Sequence, residues 1–262
     1  MNNTVFIGID PTAGRRPMNY AVLDGTLHAL VLEATGGLPE VVSAVEGYPE
    51  AVVAVDAPQS LNSGLMASAE YRARLDPLPA PGRWNGYRVC EYLLKKRGID
   101  LYSTPAEISA AAIWMQVGFE IYDRLRSASF ETHRPGSQAA RQMLEVHPYA
   151  CFTVLLGHRP TPKNSLEGRL QRQLVLFRAG VAVPDPMESL EELTAHHLLA
   201  GTMELPGLLS HDALDALAAA YTACLAVTAP DMVTLVGDPE EGQIVLPVAP
   251  GELKAQYAKS SA

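Results

Sequence analysis

Short apolar runs of strand length alternate with segments of helical periodicity along most of the chain. Three such runs open it, at residues 4–10, 18–23 and 26–34. Asp24-Gly25, between the last two, is a strong signal for a two-residue hairpin turn. Residues 38–47 carry apolar positions at helical spacing, and the run at 51–55 is typical of a central strand covered on both faces. This pattern predicts an antiparallel three-strand meander, then a helix and a fourth strand.

The middle of the chain differs in composition, and the alternation of strand-like and helical segments resumes after it. Residues 57–141 are rich in Pro, Gly, Arg and aromatic residues, and we interpret them as a helical insertion with two or three helices, near 87–97, 105–117 and, as the third, 118–127. A fifth strand is predicted at 142–147. Further helices and a final pair of strands are predicted at 148–156, 165–179, 188–203, 211–227, 232–236 and 243–247. We therefore expect one α/β domain over residues 1–262, with a mixed five-stranded sheet flanked by helices and an insertion after strand four.

Carboxylates end or interrupt three of the apolar runs. Asp10 and Asp56 each follow an apolar run directly, and Glu145 lies within or near the end of the fifth strand. Ligands of such sheets bind at the carboxyl ends of the parallel strands. Carboxylates are costly to bury alone, and several that converge favour a bound divalent cation. Each acid also has a structural interpretation, since Asp before Pro is a common turn residue.

Two more acids open an Ala-rich helix near the end of the chain. Ser210 is a suitable N-cap, and the spacing of three between Asp212 and Asp215 puts both carboxylates on one helix face. The alanines that follow are small, so we expect this helix to lie close to the sheet and to bring the acids to the strand ends. Acids in a first helical turn are also favoured by the helix dipole, whatever the function.

Composition and charge limit the classes of partner that the protein is expected to bind. The formal net charge is −9, which argues mildly against a protein that coats nucleic acid non-specifically. Residues 83–97 and 159–178 are nonetheless basic segments, which are either phosphate-binding or solvated helix faces. No apolar run is long enough to span a membrane. The three cysteines form no CxxC pair, so we expect a reducing cytoplasm and no structural zinc.

The order of these motifs resembles a known family. The meander with an acid on its first strand, the later strand with an acid, and the last helix opening with acids resemble the ribonuclease H-like arrangement. The last helix resembles that of RuvC-type Holliday-junction resolvases. The match is closer to domain of unknown function 429, a predicted-nuclease family of ribonuclease H fold. The motifs that carry this resemblance are Gly8-Ile9-Asp10, Val55-Asp56-Ala57-Pro58, Glu145-Val146-His147-Pro148, Lys163 with Gly168-Arg169, and the helix that begins His211-Asp212-Ala213-Leu214-Asp215.

The resemblance implies a metal-dependent phosphodiester hydrolase, a nuclease that uses Mg²⁺ or Mn²⁺. The predicted metal ligands are Asp10, Asp56, Glu145, Asp212 and Asp215. All of these except Asp212 are predicted to be catalytic, together with Lys163. Lys163, Arg169 and Arg88 are predicted to bind the substrate phosphate. The expected partner is nucleic acid and not a membrane, and a homodimer is left open.

Alternatives from other classes stay open. An actin-like or sugar-kinase-like phosphotransferase shares this core, and Gly8-Ile9-Asp10 with Gly14 loosely resembles a first phosphate loop. The sequence lacks a convincing second Gly-rich phosphate loop and an adenosine loop. A non-catalytic binding protein of the same fold is the third interpretation. His147 is either a metal ligand, a general base or a core histidine.

Overall fold

The computed structural model describes residues 4–13, 16–191, 194–201 and 205–259. The strands are β1 (Val5–Asp10), β2 (Met18–Leu23), β3 (Ala29–Gly36), β4 (Ala51–Val55), β5 (Glu131–Thr132), β6 (Arg141–Glu145), β7 (Thr234–Asp238) and β8 (Gly242–Leu246). The helices are α1 (Leu38–Glu46), α2 (Ala69–Arg72), α3 (Val89–Lys96), α4 (Ile113–Ser127), α5 (Pro148–Leu156), α6 (Leu166–Arg178), α7 (Pro186–Glu191), α8 (Ala195–Ala200) and α9 (His211–Thr228).

All eight strands join one mixed sheet in the order β3-β2-β1-β4-β6-β8-β7, with β5 also paired to β6. The meander β1-β2-β3 is antiparallel, whereas β1, β4, β6 and β8 run parallel. The predicted mixed α/β sheet is therefore confirmed, but the predicted count of five strands is too low. The C-terminal hairpin β7-β8 and the short β5 both extend the sheet beyond β6.

The first hairpin turn is longer than predicted. Strand β3 begins at Ala29, so residues 24–28 form the connection instead of the two-residue turn expected at Asp24-Gly25. The Asp24 carboxylate accepts hydrogen bonds from the backbone N–H groups of Thr26 and His28, at 2.8 and 3.0 Å. These hydrogen bonds to the Asp24 side chain stabilise a loop longer than two residues. A prediction from the Asp-Gly dipeptide alone does not take them into account.

Helices cover both faces of the sheet, and alternate residues of the central strands point to opposite faces. On β1, Phe6 belongs to the core cluster that contains α9, whereas Ile7 packs with α1 and α4. Strand β4 alternates likewise, with Ala54 on the α9 face and Val55 on the α1/α4 face. This two-residue period decides which strand-end acids share a face.

Helix α9 lies directly against β1, as the small residues predicted. A Cβ atom added at Gly8 would lie 1.9 Å from the carbonyl oxygen of Ala216 and 2.5 Å from the amide nitrogen of Ala220. The missing side chain at Gly8 and the short alanine side chains together permit this contact. The N-terminal turn of α9, which carries Asp212 and Asp215, is thereby brought to the carboxyl ends of β1 and β4.

The predicted insertion at 57–141 contains part of the α/β framework itself. Helix α4 is one helix, where two were predicted near 105–117 and 118–127, and its Ile121 and Leu125 pack on the sheet. It connects β4 to β6 as a crossover helix. Between β4 and α4 lie α2, α3 and long loops.

The segment before α9 also differs from prediction. Instead of one helix at 188–203, the described residues form the short helices α7 and α8, while residues 192–193 and 202–204 lie outside the described part. No helix in the described ranges is long and apolar enough to cross a membrane.

Candidate active site

Asp10, Asp56 and Asp215 converge on the α9 face, at the carboxyl ends of β1 and β4. The two strand ends are adjacent, because the Asp56 amide donates a hydrogen bond of 3.0 Å to the carbonyl oxygen of Ile9. Asp215 comes from the first turns of α9 and raises the pKa of Asp10 by charge repulsion, as does Asp56. The three acids therefore lie within reach of one another's charge, and their joint binding of a metal ion stays a prediction.

Asp10 is the most perturbed acid of the group. Its side chain is buried, and none of the described residues donates a hydrogen bond to its carboxylate. Burial raises the pKa of Asp10 to about 9, with further contributions from the charges of Asp56 and Asp215, against a smaller opposing effect of Lys163. A buried carboxylate among others of the same charge retains its proton until a cation or another compensating group is near.

Lys163 supplies the positive charge nearest to the acids. Its Nζ atom lies 2.8 Å from Oδ2 of the buried Asp215, while 45% of the Lys163 side chain remains exposed. Burial raises the pKa of Asp215, although Lys163 opposes this. Burial alone would lower the pKa of Lys163, but Asp215, Asp10 and Asp56 outweigh it and raise that pKa. Lys163 is therefore charged and only partly shielded.

The loop that carries Lys163 is fixed by α6. Gln171 Oε1 accepts hydrogen bonds from the Thr161 amide and hydroxyl at 3.0 and 3.2 Å. A Cβ atom at Gly168 would lie 2.0 Å from the carbonyl oxygen of Pro162, so the loop packs directly on the first turn of the helix. These contacts hold Lys163 beside Asp215.

His147 joins the cluster through Asp56. Its Nδ1 atom lies 3.5 Å from Asp56 Oδ1, and its Nε2 atom lies 3.2 Å from the carbonyl oxygen of Asp100. The ring also makes an edge-to-face contact with Tyr102, with centroids 5.5 Å apart. Burial would lower the pKa of His147, but the contacts with Asp56 and Asp100 outweigh burial and raise it. His147 therefore lies against an acid of the cluster and lines the same side of the site.

Asp212 lies at the rim of the cluster. Its carboxylate is 2.7 Å from His211 Nδ1 and 3.6 Å from Arg16 Nη1, and its charge adds a smaller contribution to the raised pKa of Asp10. Asp212 thus belongs to the same electrostatic environment but has partners of its own. Gly14, considered as part of a phosphate loop, lies outside the described residues.

Glu145 and Arg88 are not in this cluster, which corrects their predicted roles as metal ligand and phosphate-binding residue. They form a bidentate ion pair in which both side chains are fully buried; Arg88 Nη1 donates to Glu145 Oε2 at 2.9 Å, and Nη2 donates to Oε1. Glu145 Oε2 also accepts a hydrogen bond of 2.8 Å from the Gln59 amide. With these partners, Glu145 has no free oxygen for a shared cation.

Strand parity explains the error at Glu145. In the β4-β6 register, Glu145 pairs with Val55, whose side chain lies on the α1/α4 face. Asp56 is one residue further and therefore belongs to the opposite face. Since a shift of one residue reverses the direction of a strand side chain, Glu145 points away from the acids that it was expected to join.

The buried ion pair belongs to a network that ties α3 to the sheet. Glu91 accepts a hydrogen bond from the Arg88 amide at 3.0 Å and also pairs with its guanidinium. Glu241, at the β7-β8 turn, accepts hydrogen bonds from the amides of Val89 and Ser63 at 2.7 and 3.1 Å. These contacts fasten the inserted segment to β6 and to the C-terminal hairpin, so their role is structural.

Arg169 also has a different role from the predicted one. Its Nε and Nη2 atoms donate hydrogen bonds to the backbone carbonyls of Leu209 and Leu208, at 2.9 and 3.0 Å. Arg169 therefore fixes the chain just before α9 and positions the acids of that helix. Its guanidinium is occupied by these carbonyls and does not face the carboxylate cluster.

A cavity of about 440 Å³ adjoins the cluster, lined among others by Asp56, His147, Lys163, Asp215 and Arg172. Within the described ranges, no three His, Cys, Asp or Glu side chains are already gathered into a group that could hold a metal ion. The acids thus share an electrostatic environment without the tight spacing of a formed metal centre.

The sequence did not reveal the positions of two residues that line this cavity. His147 was noticed because it follows a strand acid, but its partner Asp56 lies 91 positions away. In the sequence, Arg172 is one of several basic residues of α6, and nothing marks it as a residue of the cavity. Helical spacing alone does not distinguish an arginine that turns into a cavity from those that face solvent.

The comparisons with known proteins identify a family and nothing finer. A model of the family described as "Protein of unknown function (DUF429)" matches residues 8–241. Neither the curated proteins nor the solved structures contain a significant match. Because the matched region covers most of the 262 residues and includes Asp10, Asp56, Lys163 and Asp215, the chain belongs to the DUF429 family.

Proposed function

We propose that the protein is a metal-dependent phosphodiester hydrolase, a nuclease with a ribonuclease H-like core. The observation that carries this proposal is the convergence of Asp10, Asp56 and Asp215 beside Lys163, next to an open cavity. Acids from two neighbouring parallel strands and from the last helix support the proposal, although Glu145, which the ribonuclease H-like resemblance also implies as a ligand, lies elsewhere. The sheet order, with an antiparallel meander beside parallel strands, agrees with this proposal.

The donor chemistry of the cluster fits Mg²⁺ or Mn²⁺. Carboxylate oxygens are the ligands that these hard cations prefer. Asp10 is buried among other acids and has no hydrogen-bond donor among the described residues, so a cation would satisfy it. Asp10, Asp56 and Asp215 would hold the ion, with Asp212 close by. When bound, such an ion lowers the pKa of water and stabilises the leaving oxygen.

The remaining residues of the site would bind the substrate. The exposed part of Lys163 is available to a phosphate oxygen, and a charged ammonium beside the acids offsets the repulsion between them and the phosphodiester. Asp56 and Asp100 raise the pKa of His147 against the effect of burial, and so favour its protonated form at the cavity.

A cleavage assay on a panel of DNA and RNA substrates tests the proposal. The wild-type protein should cleave at least one structured or single-stranded form with Mg²⁺ or Mn²⁺ and without ATP, and Asp56→Asn should lose at least 100-fold in rate. Asp123→Asn, an exposed acid on α4, is the matched control and should leave the rate unchanged. Absence of cleavage on every substrate, together with saturable ATP binding, would favour a phosphotransferase instead.

A further inference from the structure

Arg172 is a buried cation that turns from α6 toward the cavity beside the carboxylate cluster. Only 2% of the residue is exposed. Its Nη1 atom donates hydrogen bonds to the carbonyl oxygens of Thr161 and Gly168 at 2.9 and 2.8 Å. The guanidinium carbon lies 5.3 Å from the ring centroid of Phe152. These contacts fix the position of the group.

The charge of Arg172 has no counter-ion within the described residues. Its Nε atom is buried without a hydrogen-bond partner, and Nη2 donates to none of the described residues. The acid that influences it most, Asp215, already pairs with Lys163. A buried charge without a partner is destabilising. Burial accordingly lowers the pKa of Arg172. An anion placed in the cavity would supply the missing partner.

The cavity has the size and lining for a phosphate that carries a flat group. Its volume of about 440 Å³ lies within the range of small-molecule sites. Tyr149, Pro160 and Pro162 contribute apolar surface, and Lys163 and Arg172 contribute positive charge. The carboxylates of Asp56, Asp100 and Asp215 also line the cavity, so a phosphate would have to bind at the side where the two cations lie. The guanidinium of arginine donates N–H groups to phosphate oxygens. In Arg172, Nη1 is held by two carbonyls and Nε is buried, so Nη2 is the atom that would donate to a phosphate oxygen. A nucleotide unit combines these two chemistries.

We propose that Arg172 is a binding residue for a phosphate group of the substrate, one that lies beside the phosphodiester under attack. The proposal rests on the proposed function for the identity of the substrate, but the phosphate site itself requires neither metal nor cleavage.

Titration with inorganic phosphate in the presence of EDTA tests this site apart from the nuclease activity. Calorimetry on the full chain should show saturable phosphate binding, and acetate at equal concentration should bind at least tenfold more weakly. Arg172→Met removes the charge at similar length and should weaken phosphate binding at least tenfold. Arg172→Gln removes the charge but keeps an amide donor for the Thr161 carbonyl, so it serves if the Met variant does not fold. Arg178→Met, on the exposed last turn of α6, is the control.

Equal phosphate affinity in the wild type and in a folded Arg172 variant would overturn the proposal and leave Arg172 with a packing role. Absence of saturable phosphate binding by the wild type would overturn it as well. Phosphate binding that depends on Arg172, in a protein that neither binds Mn²⁺ nor cleaves nucleic acid, would refute the proposed function alone.

Discussion

Asp10→Asn should stabilise the metal-free protein, because it removes a carboxyl group whose ionisation the fold opposes. The pKa of Asp10 is raised from 3.8 to about 9. Between these pH values the folded protein keeps a proton that the unfolded chain releases, so the free energy of unfolding falls as pH rises. Stability from this group is fully present below pH 3.8 and is lost progressively up to pH 9. Asparagine is neutral and of similar size, so it does not carry this pH dependence.

The magnitude follows from the pH interval. From 3.8 to 7 is about 3 pH units, and at about 1.4 kcal/mol per unit the wild type loses up to ~4 kcal/mol at pH 7 through Asp10. Rearrangement of the site and entry of water reduce this upper limit, so we expect Asp10→Asn to gain roughly 1–3 kcal/mol at pH 7. The gain should grow between pH 5 and pH 8.

Urea denaturation in EDTA at several pH values measures this effect. The difference in free energy of unfolding between Asp10→Asn and the wild type should rise with pH, whereas Asp123→Asn, which removes an exposed acid, should show no such trend. A loss of stability in Asp10→Asn at pH 7 would contradict this expectation. It would mean that the carboxylate accepts hydrogen bonds that the fold requires.

Three further substitutions test, one each, the close packing of α9 on β1, the buried Arg88–Glu145 ion pair and the ammonium group of Lys163. Gly8→Ala should lower the free energy of unfolding by about 3 kcal/mol in urea denaturation, since its methyl group would overlap the backbone of α9. Gly25→Ala has open space and should cost less than about 1 kcal/mol. Arg88→Met should cost about 3–5 kcal/mol because it leaves Glu145 buried and unpaired, yet Mn²⁺ affinity of the folded variant in calorimetry should be unchanged. Lys163→Met should raise Mn²⁺ affinity about fivefold by freeing Asp215, and should lower the salt dependence of nucleic-acid binding by about one phosphate contact.

Each of these expectations has a distinct contrary result. Equal stability of the Gly8 and Gly25 variants would contradict the close contact between α9 and β1. A large loss of Mn²⁺ affinity in a folded Arg88→Met variant would return Glu145 to the metal site. An unchanged or weaker Mn²⁺ affinity in Lys163→Met would show that the ammonium does not compete with a cation for Asp215.

Most secondary structure was predictable from sequence, because the apolar runs are short and cleanly separated. Strands β2 and β4 and helix α5 have the predicted boundaries. The close contact of α9 with the sheet was predicted from its alanines, whereas the part of Gly8 in that contact is visible only in the structure. The strand count failed because the pairing of β7-β8 with β6 depends on contacts between distant segments, which local periodicity does not encode.

The site was predictable only in part, for two physical reasons. Asp10, Asp56 and Asp215 were found because strand ends and a helix start are recognisable in sequence. Glu145 was misassigned because its face depends on a register of one residue, and a strand prediction is not accurate to one residue. Arg88 was predicted to bind phosphate because the sequence does not show whether a basic residue pairs with a buried acid from another part of the chain.

The most direct test of the central claim is a crystal structure of the wild-type protein soaked with Mn²⁺, with anomalous diffraction data. Our account predicts an anomalous peak in contact with the carboxylates of Asp10, Asp56 and Asp215, with Lys163 moved away from Asp215 and the Arg88–Glu145 pair unchanged. A map without a peak at these acids, or with Mn²⁺ bound only elsewhere, would contradict the assignment of this cluster as a metal-dependent active site.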